Sequence, residues 1–217
     1  MTPDLFDKDA EGPTGIEQLA PGAVVLRGFA GPHAPHLVAA IDEIAASAPF
    51  RHMLTPGGQR MSAAMTNCGP LGWISDRRGY RYESCDPLSG TSWPPLPPSF
   101  LQLAADAATA AGFLGFVPDA CLINRYEPGT RMSLHQDRDE QDLTAPIVSV
   151  SLGLPAVFLF GGLTRGESSE RIPLMHGDVV VWGGPSRLRF HGILPLKDAA
   201  HSLLGRQRIN LTFRKAT

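Results

Sequence analysis

The second half of the chain is dominated by short runs in which apolar and polar residues alternate. Successive side chains of a strand point to opposite faces, so this alternation predicts about eight strands after Pro118. They are separated by Gly and Pro, and they span Ala120 to Arg125, Arg131 to His135, Ile147 to Leu152, Ala156 to Phe160, Arg171 to Met175, Asp178 to Trp182, Arg187 to His191 and Gln207 to Arg214. Such a series indicates a jelly roll or another double-sheet barrel.

The first half of the chain carries the helical periodicity. A short apolar strand over Ala23 to Leu26 precedes a helix predicted over Pro35 to Ala48, with proline at its start. A second helix is predicted over Ser99 to Ala111, where Ser99 and Gln102 have the spacing of a capping box. The fold class expected is therefore mainly β with flanking helices (α+β).

The segment from residue 50 to residue 98 has little helical periodicity and is rich in Gly, Pro, Arg and aromatic residues. Short strands and loops are expected there. Basic residues interleaved with aromatic ones suit a nucleic-acid surface, because guanidinium groups meet phosphates and flat rings stack on bases. The alternative is an irregular lobe whose aromatic residues form its own small core, and the segment alone does not decide between the two.

Composition narrows the class of protein. With 217 residues, 43% hydrophobic and 18% charged, the chain fits one compact soluble domain, and a net charge of -2 argues against a purely electrostatic nucleic-acid coat. The three cysteines have no CxxC spacing and are expected to be free thiols. No signal peptide is recognisable, and residues 1 to about 20 are expected to form a loose arm. The uncharged segment 143–164 is interrupted by Pro and Gly, which favours two buried strands over a membrane helix.

A candidate metal site begins at the predicted strand that ends with His135. His135 and Asp137 are two residues apart and so share a face of an extended segment. A distant histidine would have to supply a third ligand, and among the seven histidines His191 is the candidate, since it is predicted to end a strand before Gly192. Two imidazoles and one carboxylate form the facial triad that suits non-haem Fe(II).

The last strand offers a second candidate site. Arg208, Asn210, Thr212 and Arg214 share one face of it. This is either an ordinary strand with its polar side in solvent, or a polar face turned into the barrel. In the second case two guanidinium groups could bind a small dicarboxylate, with Asn124 and Tyr126 from another strand completing the pocket. An iron triad on the same barrel favours the second interpretation.

These motifs resemble the AlkB family of Fe(II)/2-oxoglutarate dioxygenases, and in particular its bacterial alkylation-repair members. The similarity extends from about residue 23 to residue 214. The runs that carry it are Asn124-Arg125-Tyr126, His135-Gln136-Asp137-Arg138-Asp139, His191-Gly192, Arg208-x-Asn210-x-Thr212-x-Arg214, Thr55-Pro56-Gly57-Gly58, Met65-Thr66-Asn67-Cys68-Gly69 and Leu71-Gly72-Trp73. The resemblance implies a double-stranded β-helix core over residues 113–217, and an N-terminal extension over 21–112 with two helices and a nucleotide-recognition lid.

The resemblance also implies a role for each matching residue. The iron ligands and catalytic residues would be His135, Asp137 and His191. The residues that bind 2-oxoglutarate would be Asn124, Tyr126, Arg208, Asn210 and Arg214. Trp73 would stack on the damaged base opposite His135, and Asp139 would meet the base edge. The residues that would line the lid or contact the strand are Thr55, Met65, Tyr80, Tyr82 and Arg165.

The activity implied is oxidative demethylation of N-alkylated bases, of the 1-methyladenine and 3-methylcytosine type, with Fe(II), 2-oxoglutarate and O2. The partners implied are alkylated single-stranded or duplex DNA and RNA, for a monomeric, cytoplasmic bacterial enzyme that needs neither a membrane nor an obligate protein partner. One departure is Gln59, where bacterial relatives often have an aromatic residue. The alternative is a 2-oxoglutarate oxygenase that acts on a protein or a small molecule, and the lid residues favour nucleotide.

Overall fold

The computed structural model describes residues 14–217 and contains two helices and thirteen strands in that range. The helices are α1 (Ala34–Ser47) and α2 (Pro98–Ala110). The strands are β1 (Gly15–Ala20), β2 (Ala23–Arg27), β3 (Ala64–Cys68), β4 (Gly72–Asp76), β5 (Gly79–Glu83), β6 (Ala120–Tyr126), β7 (Met132–His135), β8 (Ile147–Gly153), β9 (Ala156–Phe160), β10 (Glu170–Leu174), β11 (Val179–Trp182), β12 (His191–Ile193) and β13 (Arg208–Arg214).

Two sheets of antiparallel strands form the jelly roll and confirm the predicted fold class. The major sheet has seven strands in the order β1-β2-β11-β8-β13-β6-β3, and the minor sheet has four in the order β10-β9-β12-β7. Strands β4 and β5 form a separate hairpin. The major sheet thus combines β2 and β3 from the N-terminal extension with four strands that follow residue 113.

Alternation along the major sheet sends one set of side chains to the helices and the other set to the space between the sheets. In β13, Ile209, Leu211 and Phe213 pack in the cluster that also holds the buried faces of α1 and α2. Phe213 meets Phe100 of α2 edge to face, with ring centroids 5.7 Å apart. The polar residues of β13 therefore point between the sheets, as the second interpretation of this strand predicts.

The N-terminal arm and the cap of α2 differ from the predictions. Residues 1–13 of the expected loose arm lie outside the described residues, and Gly15–Ala20 is an edge strand paired with β2 rather than a loose segment. Helix α2 begins one residue early, and Pro97 at its N-cap makes no side-chain capping bond. The capping box is wrong: Gln102 instead bonds Asp106 one turn later, because Pro98 already fixes the first helical turn.

The strand predicted over Arg187 to His191 is also wrong. A short 3-10 turn occupies Gly184–Ser186, and the strand β12 starts at His191 instead of ending there. The backbone N–H groups of Arg187 and Arg189 donate to carbonyls three residues earlier, so they are not available to a sheet ladder. No helix within residues 14–217 is long and apolar enough to cross a membrane.

Candidate active site

A cavity of about 780 Å³ opens between the inner faces of the two sheets and the β4–β5 hairpin. Its lining includes most of the predicted site residues. They are Thr55, Met65, Trp73, Tyr80, Asn124, Tyr126, His135, Asp137, Asp139, Arg165, His191, Arg208, Asn210 and Arg214. Residues that lie up to 159 positions apart in the chain, from Thr55 to Arg214, thus meet in one space.

Pairing of two strands brings the predicted histidines together. His135 at the end of β7 lies opposite His191 at the start of β12 in an antiparallel ladder, and their ring centroids are 4.4 Å apart. Asp137 follows β7 by two residues. Its Oδ1 lies 3.6 Å from Nε2 of His135, and its Oδ2 lies 3.8 Å from Nε2 of His191. The three ligand atoms all fall within 4.8 Å of one another.

Both imidazoles are oriented by the backbone. Nδ1 of His135 lies 2.9 Å from the carbonyl of Ser133, and Nδ1 of His191 lies 3.0 Å from the carbonyl of Arg189. A carbonyl can only accept, so each Nδ1 carries a proton, and Nε2 of each ring is the nitrogen that faces Asp137. Burial, and then the neighbouring His135, lowers the pKa of His191 to about 4. The imidazole is therefore neutral, as a metal ligand must be.

The carboxylate of Asp137 is kept ionised by Arg214 from β13. Burial opposes the charge, but Arg214, His191 and His135 outweigh it and hold the pKa of Asp137 well below its usual range. Nε and Nη2 of Arg214 both donate to Oδ2 of Asp137, at 3.0 and 2.7 Å. Two imidazole nitrogens and one carboxylate oxygen with open positions are the donor set that Fe(II) oxygenases use, so these three residues could hold that ion.

A charged network behind the triad was missed by the sequence analysis. Glu140 accepts from Nη2 of Arg187 at 2.9 Å and from the hydroxyl of Tyr82 at 2.6 Å, and it lies 3.5 Å from Arg214. Nη1 of Arg187 donates to the backbone carbonyl of Asp137 at 2.6 Å. Two buried cations thus balance two buried carboxylates, which is the condition for keeping charges out of water. The only signal in the sequence was the adjacent pair of carboxylates, Asp139 and Glu140, that follows Asp137.

Arg208 has the unmet hydrogen-bonding capacity that an anionic ligand needs. Its side chain is 1% exposed, and burial lowers its pKa, which Tyr126 partly offsets. Nη2 donates to the hydroxyl of Ser151 at 2.9 Å, whereas Nε and Nη1 are buried without a partner. Burying a guanidinium with two unpaired donor nitrogens destabilises the fold by roughly several kcal/mol unless an anion accepts hydrogen bonds from them. The carboxylate of 2-oxoglutarate fits this requirement.

The amides beside Arg208 complete the polar wall. Asn210 is fixed by bonds from its Nδ2 to the hydroxyl of Ser149 at 2.8 Å and to the Val150 carbonyl at 2.9 Å. Asn124 on β6 stands directly opposite Asn210, donates to its Oδ1 at 3.4 Å, and has a buried Oδ1 without a partner. The ring of Tyr126 lies 5.0 Å from the Arg208 guanidinium carbon. Arg208 and Asn124 thus both leave buried polar atoms unpaired at this wall.

The hairpin forms the opposite, aromatic wall. The rings of Trp73 and Tyr80 are stacked with centroids 5.6 Å apart and an angle of 14° between their planes. Nε1 of Trp73 donates to Oδ2 of Asp139 at 2.9 Å, so the hairpin meets the loop that carries the triad. Tyr80 is 48% exposed, which leaves an aromatic surface at the mouth of the cavity.

The remaining predicted lid residues separate into two groups. Thr55, Met65 and Arg165 line the cavity, and Arg165 donates to the carbonyl of Leu134 at 2.8 Å. Tyr82 is placed differently, because it is not among the residues that line the cavity. Alternation along β5 places Tyr82 on the same face as Tyr80, but its hydroxyl donates to Glu140 inside the charged network.

Comparison with known proteins identifies the family. Residues 22–214 match the model of the 2OG-Fe(II) oxygenase superfamily. The chain is 59% identical over 213 residues to "Alpha-ketoglutarate-dependent dioxygenase AlkB" of Salmonella typhimurium, a match that covers 98% of this chain and 97% of that protein. It therefore belongs to the 2OG-Fe(II) oxygenase superfamily and to its AlkB family, and is a 2-oxoglutarate-dependent dioxygenase.

Two more distant proteins support the same assignment. The solved structure titled "The structure of OsALKBH1" superposes with a TM-score of 0.81 at 28% identity, over 93% of this chain and 100% of that one. The "tRNA demethylase abh1" of Schizosaccharomyces pombe is 31% identical over 160 residues, which are 67% of this chain and 52% of that protein. The family implies Fe(II), 2-oxoglutarate and O2, and the triad and the unpaired Arg208 donors fit the first two.

Proposed function

We propose that this AlkB-family dioxygenase is an oxidative demethylase that repairs N-alkylated bases, of the 1-methyladenine and 3-methylcytosine type, in DNA and RNA. The observation that carries the proposal is the single cavity whose one wall bears the triad and whose other wall is a stacked Trp73–Tyr80 platform. A flat aromatic surface beside a carboxylate suits a flat, cationic ligand better than it suits a peptide. The name of the Schizosaccharomyces pombe relative, a tRNA demethylase, agrees with a nucleic-acid substrate.

In the proposed assignment, His135, Asp137 and His191 hold the iron through Nε2, one carboxylate oxygen and Nε2. Arg208 and Asn124 receive the far carboxylate of 2-oxoglutarate with the buried polar atoms that lack partners, next to Tyr126. Asn210 and Arg214 steady the end that binds iron. With iron held there, O2 would be the oxidant: one of its oxygen atoms would enter succinate as 2-oxoglutarate loses CO2, and the other would turn the N-methyl group into a hydroxymethyl group that is lost as formaldehyde.

The substrate residues act through stacking and charge. A methyl group on a pairing nitrogen leaves adenine or cytosine cationic, so Trp73 attracts the base through cation–π interaction and Asp139 attracts it through its carboxylate. The same methyl group blocks base pairing, which lowers the cost of turning the base out of the stack. Thr55, Met65, Tyr80 and Arg165 surround the entrance and contact the strand.

The division of labour follows the chain. We assign the aromatic platform for the base to the extension over residues 21–112, and we assign the chemistry, together with the substrate contacts of Asp139 and Arg165, to residues 113–217. The enzyme acts as a monomer without an obligate protein partner, in the cytoplasm, where its substrates and reduced thiols are found. The protein has a net charge of -2, so its electrostatic attraction for the phosphate backbone comes from a small number of basic residues near the cavity, such as Arg131, Arg138 and Arg165.

The test is a mass measurement on a defined oligonucleotide. The protein is loaded anaerobically with Fe(II) and 2-oxoglutarate, O2 is admitted, and an oligonucleotide with one 1-methyladenine or 3-methylcytosine is followed by mass spectrometry. The expected result is loss of the mass of one methylene group per modified base, with formaldehyde and succinate in equal amounts. The unmodified oligonucleotide of the same sequence serves as control and should not change.

An unchanged oligonucleotide, combined with succinate formed in the presence of a protein or small-molecule substrate, would contradict the proposal. That outcome would support the other class of 2-oxoglutarate oxygenase. Parallel assays with single-stranded DNA, duplex DNA and RNA that carry the same base rank the three nucleic acids.

A further inference from the structure

We infer that Asn67, a residue that does not touch the substrate, is the positioning residue that fixes the Trp73 platform to the jelly roll. The inference rests on the proposed function, because it concerns the stacking of a base on Trp73. According to this inference, the buried side-chain amide of Asn67 gives the lid its specificity for the base. The argument comes from the way in which the β4–β5 hairpin is joined to the sheet.

No backbone ladder joins the hairpin to the major sheet: β4 and β5 pair only with each other, and the backbone link beside them is an isolated bridge between Leu71 and Ala120. Asn67 takes the place of such a ladder. It lies in β3 at the edge of the major sheet and is 0% exposed. Its Nδ2 donates to the carbonyl of Trp73 at 3.0 Å, and its Oδ1 accepts from the N–H of Trp73 at 3.0 Å. One side-chain amide thus pairs with both backbone groups of a single residue.

Close packing around Gly72 enforces this distance. A Cβ on Gly72 would lie 2.4 Å from the ring of Trp93 and 2.9 Å from Cβ of Asn67. The ring of Trp93 therefore packs directly under the backbone that precedes Trp73, and its Nε1 donates to the carbonyl of Glu83 on β5 at 3.0 Å. Both strands of the hairpin are held at a fixed height over the sheet.

The result is a platform that is anchored at three points. The backbone N–H and carbonyl of Trp73 are bound by Asn67, and its indole N–H is bound by Asp139 at 2.9 Å. The gap between the indole and the iron triad is then set before a base enters. Stacking contributes strongly only when the ring is held parallel to the base at contact distance, so loss of the anchor reduces stacking even with Trp73 intact.

Few side chains can replace Asn67. The two bonds need one donor and one acceptor at the end of a two-carbon side chain, which only an amide of this length provides at the observed spacing. Leucine has nearly the same shape but leaves two buried backbone groups of Trp73 unpaired. Thr66, the preceding residue, offers a matched control, because its hydroxyl also makes a buried bond, to the carbonyl of Ala48 at 2.6 Å, but does not contact the hairpin.

The experiment compares Asn67→Leu with Thr66→Val in the iron-loaded enzyme. For Asn67→Leu we expect the KM for a 1-methyladenine oligonucleotide to rise about tenfold, with the KM for 2-oxoglutarate and the rate of uncoupled 2-oxoglutarate turnover unchanged. Thr66→Val should lower thermal stability to a similar degree and leave the KM for the oligonucleotide within about twofold. If Asn67→Leu does not fold, Asn67→Ser replaces it in the experiment. Serine is polar but too short to make both bonds, so the same rise in the KM for the oligonucleotide is expected.

Two further readouts separate positioning from stability. In a Trp73→Ala background Asn67→Leu should add less than about twofold to the KM, because the platform it positions is gone. The Trp73 amide should exchange its hydrogen at least about tenfold faster in Asn67→Leu, a measurement that needs no substrate. Equal KM changes in both backgrounds, or a KM rise matched by Thr66→Val, would overturn the inference. Failure of the wild type to demethylate would instead refute the proposed function while leaving the exchange result to stand.

Discussion

The two walls of the cavity are built on different physical principles. The jelly-roll wall consists of buried charges that are all at most 7% exposed: Asp137, Glu140, Arg187 and Arg214 neutralise one another, and Arg208 keeps unpaired donors. The hairpin wall consists of aromatic rings, with Tyr80 about half exposed, held by a few hydrogen bonds. A change in the first wall removes an interaction that nothing else can replace, whereas a change in the second removes part of a contact surface.

This difference separates the two jobs of the enzyme. Charged and metal-binding groups need fixed geometry, and close packing against the helices supplies it. A surface that must admit a base from solvent cannot be sealed, so it relies on stacking, which tolerates different bases. We therefore expect changes in the jelly-roll wall to stop chemistry for every substrate, and changes in the hairpin wall to alter substrate use alone.

The largest effect is expected at the triad. His135→Ala removes one of three metal ligands, so turnover of 2-oxoglutarate should fall below detection with or without oligonucleotide. Fe(II) binding, measured by equilibrium dialysis, should fall with it, while the metal-free protein should keep its melting temperature because His135 is partly exposed. His36→Ala, an exposed histidine on α1, is the control and should change neither. Normal Fe(II) binding by His135→Ala would contradict the assignment.

The next effect is a dependence of stability on pH in the metal-free protein. His191 takes up a proton near pH 6.5 when unfolded and only near pH 4 when folded. Between these values the unfolded chain binds more protons, so the free energy of unfolding should fall by about 3 kcal/mol as the pH decreases. Urea unfolding at several pH values measures it, and His191→Asn should reduce the dependence. A flat profile would show that the buried imidazole is not held neutral.

A smaller effect is expected at the pocket for the co-substrate. Arg208→Lys loses the planar pair of donors, and the KM for 2-oxoglutarate should rise roughly ten- to hundredfold since each charge-assisted bond contributes about 1.5–3 kcal/mol. Arg206→Lys is the matched control, because Arg206 lies two positions before Arg208 and forms an exposed ion pair with Asp198. If Arg208→Lys raised the KM for the oligonucleotide and left the KM for 2-oxoglutarate unchanged, the assignment of Arg208 to the co-substrate would be contradicted.

The smallest effect is expected on the hairpin wall. Trp73→Ala should raise the KM for the methylated oligonucleotide about tenfold, because stacking on one ring contributes about 1–3 kcal/mol. Uncoupled turnover of 2-oxoglutarate should be unchanged, since no triad residue contacts the indole through a hydrogen bond. Trp73→Phe keeps an aromatic ring, so its KM for the oligonucleotide should lie between those of the wild type and Trp73→Ala. A loss of uncoupled turnover in Trp73→Ala as complete as that in His135→Ala would remove the distinction between the walls.

Sequence alone predicted the jelly-roll wall better than the hairpin wall. Strict alternation in β13 predicted which residues share a face, the candidate iron triad favoured that face as the inner one, and the HxD spacing with a distant His191 predicted the triad. The reason is that strand periodicity and metal coordination each impose a spacing on the chain. On this wall too one prediction was wrong: His191 begins a strand and does not end one. The backbone N–H groups of Arg187 and Arg189, which precede it, donate to carbonyls of the turn that starts at Gly184.

The contacts that sequence did not reveal are those made by tertiary packing. Tyr82 is an aromatic residue of the kind that contacts a base, but its hydroxyl bonds to Glu140 in the charged network. Tyr82 and Arg187, the two residues that bond to Glu140 there, lie 58 and 47 positions from it in the chain. Asn67 lies in a segment with little helical periodicity, and its side chain bonds Trp73 beside Gly72, where an added Cβ would come within 2.9 Å of Cβ of Asn67. Such pairings carry no spacing rule, so only the folded chain displays them.

The most direct test of the separation between the walls is the ratio of formaldehyde released to succinate formed, measured at a subsaturating concentration of methylated oligonucleotide. The wild type should give a ratio near one, Trp73→Ala should give a clearly lower ratio with succinate still produced, and Arg208→Lys, at saturating 2-oxoglutarate, should keep the wild-type ratio. A ratio that falls in Arg208→Lys and stays near one in Trp73→Ala would contradict the account.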